Sequence, residues 1–313
     1  MRVRDVRGGF RLTPHRVAAA LARRAMLPAN YARLVTLSRM SRAAVVNPES
    51  DVTVTLTTHG PRLKAVHLTI ESIARGTYLP GRIILYLDAP MPRELPPGLT
   101  RLMRRGLEIR ESAGRFGPHT KYFPYVSDAP AGSGRHVTAD DDIVYPREWL
   151  EELVTVSDAH PQDIVCHRAH LITLDDTGER LLPYTQWEWA GVPGASHRNF
   201  LTGVSGVLYP EEMQSSLRMR GSAFMEVCPR ADDIWLNWVA LRSGIKVRQV
   251  ADRPHDYPTL MSTQAVSLLS SNVDDGANNA QFDATYSAED VRLLRALGDP
   301  RSGSGSEGSG LPR

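Results

Sequence analysis

Between Val52 and Asp88 the chain passes through a β-branched stretch, a helical stretch with one apolar face and a second, almost wholly apolar stretch. This succession limits the fold more than any other feature. Val52-Thr-Val-Thr-Leu-Thr57 has the composition of a strand, and Thr58-His59-Gly60-Pro61 that of a turn. From about Leu63 to Arg75, Val66, Ile70 and Ile73 recur at helical spacing. Arg82-Ile-Ile-Leu-Tyr-Leu87 then lacks the polar alternation of a half-exposed strand, as expected of a strand covered on both faces in a parallel sheet. Strand, helix and parallel strand make a βαβ unit, so the expected class is α/β.

The alternation continues along the chain. A helix is expected over Leu95–Arg105, a strand over Leu107–Arg110, and a strand over His136–Ala139 that delivers Asp140, Asp141 and Asp142 at its carboxyl end. Pro146–His160 reads as a helix, Asp163–His167 as a strand, and Asn199–Tyr209, with glycines at 203 and 206, as one further strand. A helix over Ala231–Ser243 and a strand over Lys246–Val250 complete an open sheet flanked by helices. Three parts are expected: a basic helical arm over 1–46, a single domain over 47–300 and a Gly/Ser-rich disordered tail over 301–313.

Composition narrows the class further. A chain of 313 residues can bury a large core, and 42% apolar with 23% charged residues excludes collagen-like, coiled-coil and wholly disordered readings. No apolar run is long enough to span a bilayer, and no export segment follows the basic start. Two cysteines, Cys166 and Cys228, are too few for a disulfide framework or a zinc cage, which points to a reducing, cytoplasmic setting. The formal net charge of +2 hides an asymmetry: residues 1–43 hold ten arginines and one acid, Asp5, which leaves −7 on the remainder. Within the arm, Pro14–Leu27 favours helix with Val17, Leu21 and Met26 on one side, and a short helix is expected over Tyr31–Met40. Such an arm either lies peripherally on the anionic inner face of a membrane or packs on the domain. The acidic remainder repels polyanions, so a nucleic-acid partner is not expected.

Three consecutive aspartates at a strand's carboxyl end invite a divalent metal, because crowded carboxylates need a compensating cation and hard oxygen ligands suit Mg²⁺ or Mn²⁺. Side chains alternate along a strand, so Asp140 and Asp142 are expected on one side and Asp141 on the other. Asp142 is then assigned to the metal and Asp140 to a ribose or the metal's surroundings, while Asp141 orients the loop or shares in coordination. The competing reading is an acidic turn that caps the helix at Pro146. A second acidic pair, Asp232-Asp233, opens the apolar-rich helix Ile234–Leu241. Either the pair only caps the helix, or one carboxylate caps and the other acts as general base.

Thr53-Val-Thr-Leu-Thr-Thr-His59, Leu68-Thr-Ile-Glu-Ser-Ile73, Gly76-Thr-Tyr-Leu-Pro80, Ile83–Asp88, Thr138–Pro146 and Ala231–Leu236, in this order and spacing, resemble the family 2-like glycosyltransferases of GT-A fold, which use nucleotide sugars. The likeness runs from about Asp51 to His255. It implies a GT-A, Rossmann-like, mostly parallel open sheet. The aspartate triplet resembles the Asp-x-Asp signature of that fold, and Asp232-Asp233 its Glu-Asp catalytic motif with aspartate in place of glutamate. By position, the resemblance implies that Thr57, Thr58 and Asp88 line a nucleotide base pocket, with Lys121 facing the nucleotide; His59 either contacts the nucleotide or is structural. It implies that Asp140 and Asp142 hold ribose and metal and that Asp233 is the base beside Asp232. The segment Gly203–Tyr209 matches the one that passes the donor sugar. Mn²⁺ or Mg²⁺ is the implied cofactor, a UDP-sugar the favoured donor, and a glycan or lipid-linked hydroxyl the acceptor, in bacterial glycan synthesis with inversion at the anomeric carbon. A glycine loop of dinucleotide enzymes and a Gln-x-x-Arg-Trp motif of processive synthases are both missing.

The histidines and tryptophans leave alternatives open. His255 either approaches the diphosphate or metal, as a late histidine does in some GT-A enzymes, or is structural. His167 and His170 read as structural, lacking further ligands at zinc spacing. Trp187 and Trp189 make either an aromatic platform for an acceptor sugar or core packing. Two rival functions share the acids or the arm: metal-dependent nucleotidyl or phosphoryl transfer, and a non-catalytic protein whose arginines bind an anionic surface.

Overall fold

The computed structural model describes residues 31–88, 90–191, 194–260 and 277–298. The helix expected over Pro14–Leu27 and the Gly/Ser tail from 301 lie outside them. Among the described residues the strands are β1 (Val52–Thr58), β2 (Arg82–Leu87), β3 (Leu107–Glu111), β4 (Arg135–Thr138), β5 (Ile164–Cys166), β6 (Ala169–Leu171), β7 (Ala195–Ser196), β8 (Asn199–Leu201), β9 (Val207–Tyr209) and β10 (Val247–Gln249). Eight of them form one sheet in the order β3-β2-β1-β4-β9-β5-β10-β7, and β6 pairs with β8 in a small second sheet. Parallel pairing joins β3, β2, β1 and β4, and again β5 and β10, while β9 and β7 run antiparallel to their neighbours. This is the mostly parallel open α/β sheet expected from the alternation of strands and helices.

Strand β2 demonstrates the double burial that its composition implied. Ile83, Leu85 and Leu87 enter a core with Ile70, Leu99, Leu102 and Leu153, while Ile84 and Tyr86 enter a second core on the opposite face with Leu217, Trp235 and Leu236. The first core is covered by α2 (Val66–Ile73), α3 (Pro97–Met103) and α5 (Trp149–Ala159). The second is covered by α4 (Phe123–Asp128), α6 (Glu211–Arg220), α7 (Phe224–Val227) and α8 (Asp232–Arg242), with α9 (Ala277–Thr285) contributing Phe282. The helical residues 31–40, α1, pack on the domain: Leu34 is fully buried with Leu68 and Leu260, and the Ser38 carbonyl accepts a hydrogen bond from Arg101 Nε at 2.6 Å.

The single strand expected over Asn199–Tyr209 is instead two, β8 and β9, separated by a 3-10 turn at Gly203–Ser205. Gly206 is the reason. Its φ of 95° lies in the region that favours glycine, and a Cβ there would stand 2.6 Å from the Trp149 indole. Trp149 Nε1 in turn donates to the Ser205 carbonyl at 2.8 Å. The break sends β9 into the main sheet between β4 and β5, and it turns the Gly203 amide toward α8.

Candidate active site

The site forms at the carboxyl ends of β1, β2 and β4, the end where an open α/β sheet binds ligands. Strand β4 stops at Thr138, and Asp141 and Asp142 lie in the turn beyond it. Side-chain alternation therefore does not extend through the triplet. Asp141 and Asp142 both meet the guanidinium of Arg62, through a 2.8 Å ion pair from Nη1 to Asp141 and a close contact from Nη2 to Asp142, whereas Asp140 faces Lys121. Helix α2 fixes the turn, with Thr69 Oγ1 donating to the Asp141 carbonyl at 3.0 Å and Ser72 Oγ accepting from Tyr145 N at 3.0 Å. The Tyr145 hydroxyl accepts from the Asp140 amide at 2.9 Å. The triplet caps no helix: α5 begins after Glu148, without a side-chain cap bond.

The second acidic pair opens α8, also without a side-chain cap bond. Its carboxylates turn inward instead. Lys121 Nζ lies 3.1 Å from Asp140 and 2.9 Å from Asp232, so one buried ammonium joins the two acidic clusters. Asp233 Oδ1 accepts from the Gly203 amide at 2.9 Å. A Cβ on residue 203 would stand 2.9 Å from Lys121 Nζ and 3.1 Å from Asp233 Oδ1, so a larger residue would displace the ammonium or the carboxylate from its present position. The surrounding cavity, about 590 Å³, is lined by both clusters together with Arg62, Lys121 and Gly203, a volume suited to a small-molecule ligand.

Electrostatics set the protonation states. Burial pushes the Asp233 carboxyl up to about 7, reinforced by Asp232 and opposed by Lys121. Burial likewise pushes Asp142 up to about 6, with Asp140 adding to it and Arg62 opposing it, and Asp141 also rises. Burial pulls the Lys121 ammonium down, but Asp140, Asp232 and Asp233 outweigh that and hold it well above the usual lysine range. Asp142 thus remains reluctant to ionise even with a guanidinium against it. These carboxylates are a hard-oxygen donor set of the kind that suits Mg²⁺ or Mn²⁺, and in this structure Arg62 and Lys121 compensate their charge.

The other sequence-derived residues divide. Thr57, His59 and Asp88 line the cavity. Thr58 does not: it is buried, and its Oγ1 donates to Asp141 at 2.6 Å, so it holds the acidic turn in place. Asp88 accepts from the Phe116 and Gly117 amides at 3.0 and 3.1 Å and from Thr120 Oγ1 at 2.8 Å, which anchors the segment leading to Lys121. His255 does not line the cavity. Its amide bonds to the His167 carbonyl at 3.0 Å and its carbonyl accepts from Ser205 Oγ at 2.5 Å, which directs the imidazole toward His167 and Glu152. Trp187 is buried in the core against Phe200 and Phe282, and Trp189 stacks on His170 beneath Arg168. The aromatic wall of the cavity comes from Tyr184, Phe200 and Phe282. Sequence reasoning missed Arg62. Its signal was a base just after the Gly60-Pro61 turn, at the ligand-binding end of the first strand.

No protein-family model matches the chain, and no curated protein matches its sequence. Among solved structures, it is similar to the mannosyltransferase PcManGT from Pyrobaculum calidifontis in complex with GDP-Man and Mn²⁺, at 15% identity and a TM-score of 0.47, over 90% of this chain and 79% of that one. It is also similar to residues 1–349 of S. aureus TarS, at 13% identity and a TM-score of 0.46 over 78% of this chain and 69% of that one. TarS in complex with UDP-GlcNAc gives 10% identity and a TM-score of 0.45, over 79% and 71% of the two chains. At this level of likeness the donors of those proteins do not carry over to this one.

Proposed function

We propose that this protein is a GT-A-type glycosyltransferase that moves a sugar from a nucleoside diphosphate to an acceptor hydroxyl. The observation that carries the proposal is the convergence of Asp140–Asp142 and Asp232–Asp233 on one cavity, joined through Lys121. Two remote acidic segments with distinct environments suit two distinct tasks.

Asp233 takes the role of general base. Burial and the neighbouring Asp232 raise its carboxyl well above the usual carboxylate range, which makes it a stronger base toward an acceptor hydroxyl. The Gly203 amide fixes one of its oxygens, and the other is left to the acceptor hydroxyl. Attack opposite the departing diphosphate gives inversion. Arg62 and Lys121 place positive charge where the diphosphate oxygens gain negative charge as the bond to the anomeric carbon breaks. Asp140 and Asp142 would hold a divalent ion, which would supply Lewis-acid stabilisation of the same leaving group. Thr57 and His59 contact the nucleotide in this scheme, Asp88 and Thr58 keep the loops around it in register, and Asp232 holds Lys121.

The donor class is a nucleotide sugar, with a UDP-sugar first in order of trial, and the acceptor a glycan or lipid-linked hydroxyl of bacterial glycan synthesis. The domain spans 47–300, preceded by the basic arm. The test is a screen of nucleotide sugars by thermal shift, with Mn²⁺ and with chelator, since a ligand that binds only the folded state raises its stability. The expected result is stabilisation by one donor that chelator reduces. Donor-independent turnover of nucleoside triphosphates would favour nucleotidyl transfer instead and overturn the proposal.

A further inference from the structure

We infer that Glu152, His167 and His255 form a second metal site, for a borderline divalent cation of the Zn²⁺ or Co²⁺ class, outside the aspartate-lined cavity. The three residues come from separate segments: α5, the residue after β5, and the loop after β10. One potential ligand atom from each lies within 4.8 Å of the other two.

His167 carries the inference. Its side chain is fully buried, and Nε2 bonds to the Trp149 carbonyl at 3.0 Å. A carbonyl only accepts, so Nε2 holds the proton and Nδ1 presents its lone pair. That Nδ1 is buried without a hydrogen-bond partner. It points at Glu152 Oε2, 3.7 Å away, and the same oxygen lies 3.9 Å from His255 Nδ1. An orphaned buried imidazole nitrogen aimed at a carboxylate is costly for two acceptors alone, and a cation between them removes the cost. The second nitrogen bonded to a backbone carbonyl is also the arrangement that orients a ligating histidine.

The spacing is near that of a ligand set. Bonds of about 2.0–2.2 Å place neighbouring tetrahedral ligands about 3.3 Å apart, roughly half an ångström closer than Glu152 Oε2 lies to either imidazole nitrogen. The Glu152 and His255 side chains, 39% and 38% exposed, border solvent and are the ones that would shift by that distance. The Tyr257 hydroxyl, 3.4 Å from His255 Nδ1, is the polar group the nitrogen would exchange for the ion. Two imidazoles and one carboxylate favour Zn²⁺ or Co²⁺ over Mg²⁺ or Mn²⁺, which prefer all-oxygen sets. The site is therefore chemically distinct from the aspartate cavity.

Binding here would tie the loop after β10 to α5. That loop also closes on the acidic turn: Leu260 N donates to the Asp142 carbonyl at 2.7 Å, and Val144 N to the Pro258 carbonyl at 2.8 Å. The ion would thus brace the turn that presents Asp142, as a structural element.

The test uses the full chain stripped of metal and titrated with Co²⁺, followed by visible ligand-field absorption, with Zn²⁺ competition. One saturable site is expected, displaced by Zn²⁺ but not by Mg²⁺, weakened at least about tenfold by H255A and by E152Q and unaffected by D142A. Because H167A also removes a fully buried side chain, H255A, at a half-buried position, carries the decision. Zn²⁺ should also slow amide hydrogen exchange of Leu260 and Val144. Absence of a saturable site, a site that D142A abolishes, or unchanged affinity in H255A overturns the inference.

Discussion

Replacing Asp233 with asparagine separates catalysis from stability, and the structure sets the sign of both effects. Asparagine keeps the size of the side chain and the Oδ1 acceptor for the Gly203 amide, but it cannot take a proton. Loss of a general base costs roughly 10²–10⁴ in rate, so transfer by Asp233→Asn should fall by at least that lower bound. Stability moves the other way. The folded-state carboxyl is pushed up to about 7 from 3.8, so the folded protein holds its proton more tightly than the unfolded chain does. The resulting stabilisation is present at low pH and lost as pH rises from 3.8 to about 7. That window spans roughly three pH units at about 1.4 kcal/mol each, an upper bound of about 4 kcal/mol for keeping the ionised group buried. Urea unfolding at pH 8 should therefore find Asp233→Asn more stable than the parent, with the two converging near pH 4. Wild-type kcat/KM should drop roughly tenfold per pH unit below about 7. A variant that retains more than about a tenth of the parent's transfer rate, or is less stable at pH 8, would refute the reasoning.

Three further outcomes follow from the same geometry. Arg62→Ala removes the cation that contacts Asp142 and should tighten Mn²⁺ binding measured by calorimetry, while the still buried Asp141 loses its partner and stability falls by about 1–3 kcal/mol; unchanged Mn²⁺ affinity contradicts the placement of the ion. Gly203→Ala inserts a Cβ 2.9 Å from Lys121 Nζ and should cost about 1–3 kcal/mol together with most of the transfer activity; full activity means the turn is not held as described. Glu71→Ala strands Arg105, whose Nη1 lies 2.5 Å from the buried Glu71 carboxylate, and should cost about 3–5 kcal/mol in denaturant unfolding with the donor site unaltered; a loss below about 1 kcal/mol would show the pair to be dispensable.

Much of the frame was legible in the sequence because the features that encode it are local. The β-branched run at Val52–Thr57, the double-faced apolar run at Ile83–Leu87 and the helical spacing of Val66, Ile70 and Ile73 each state their own burial, and β1, β2 and α2 form there. Both acidic clusters were conspicuous for the same reason, since neighbouring carboxylates are unfavourable wherever they stand. The break between β8 and β9 was less visible, because it depends on the Trp149 indole, which reaches Gly206 only in the folded chain.

The sequence by itself determined the α/β class, the carboxyl-end location of Asp140–Asp142 and the presence of a second acidic pair, all properties of residues close together along the chain. Only the tertiary structure decided that Lys121 bridges the two clusters, that Arg62 spans Asp141 and Asp142, that Thr58 supports the acidic turn, and that His255 meets His167 and Glu152. Those pairings join segments far apart in sequence. Their partners are chosen by strand order and by the path of the loops, and no local pattern carries that information.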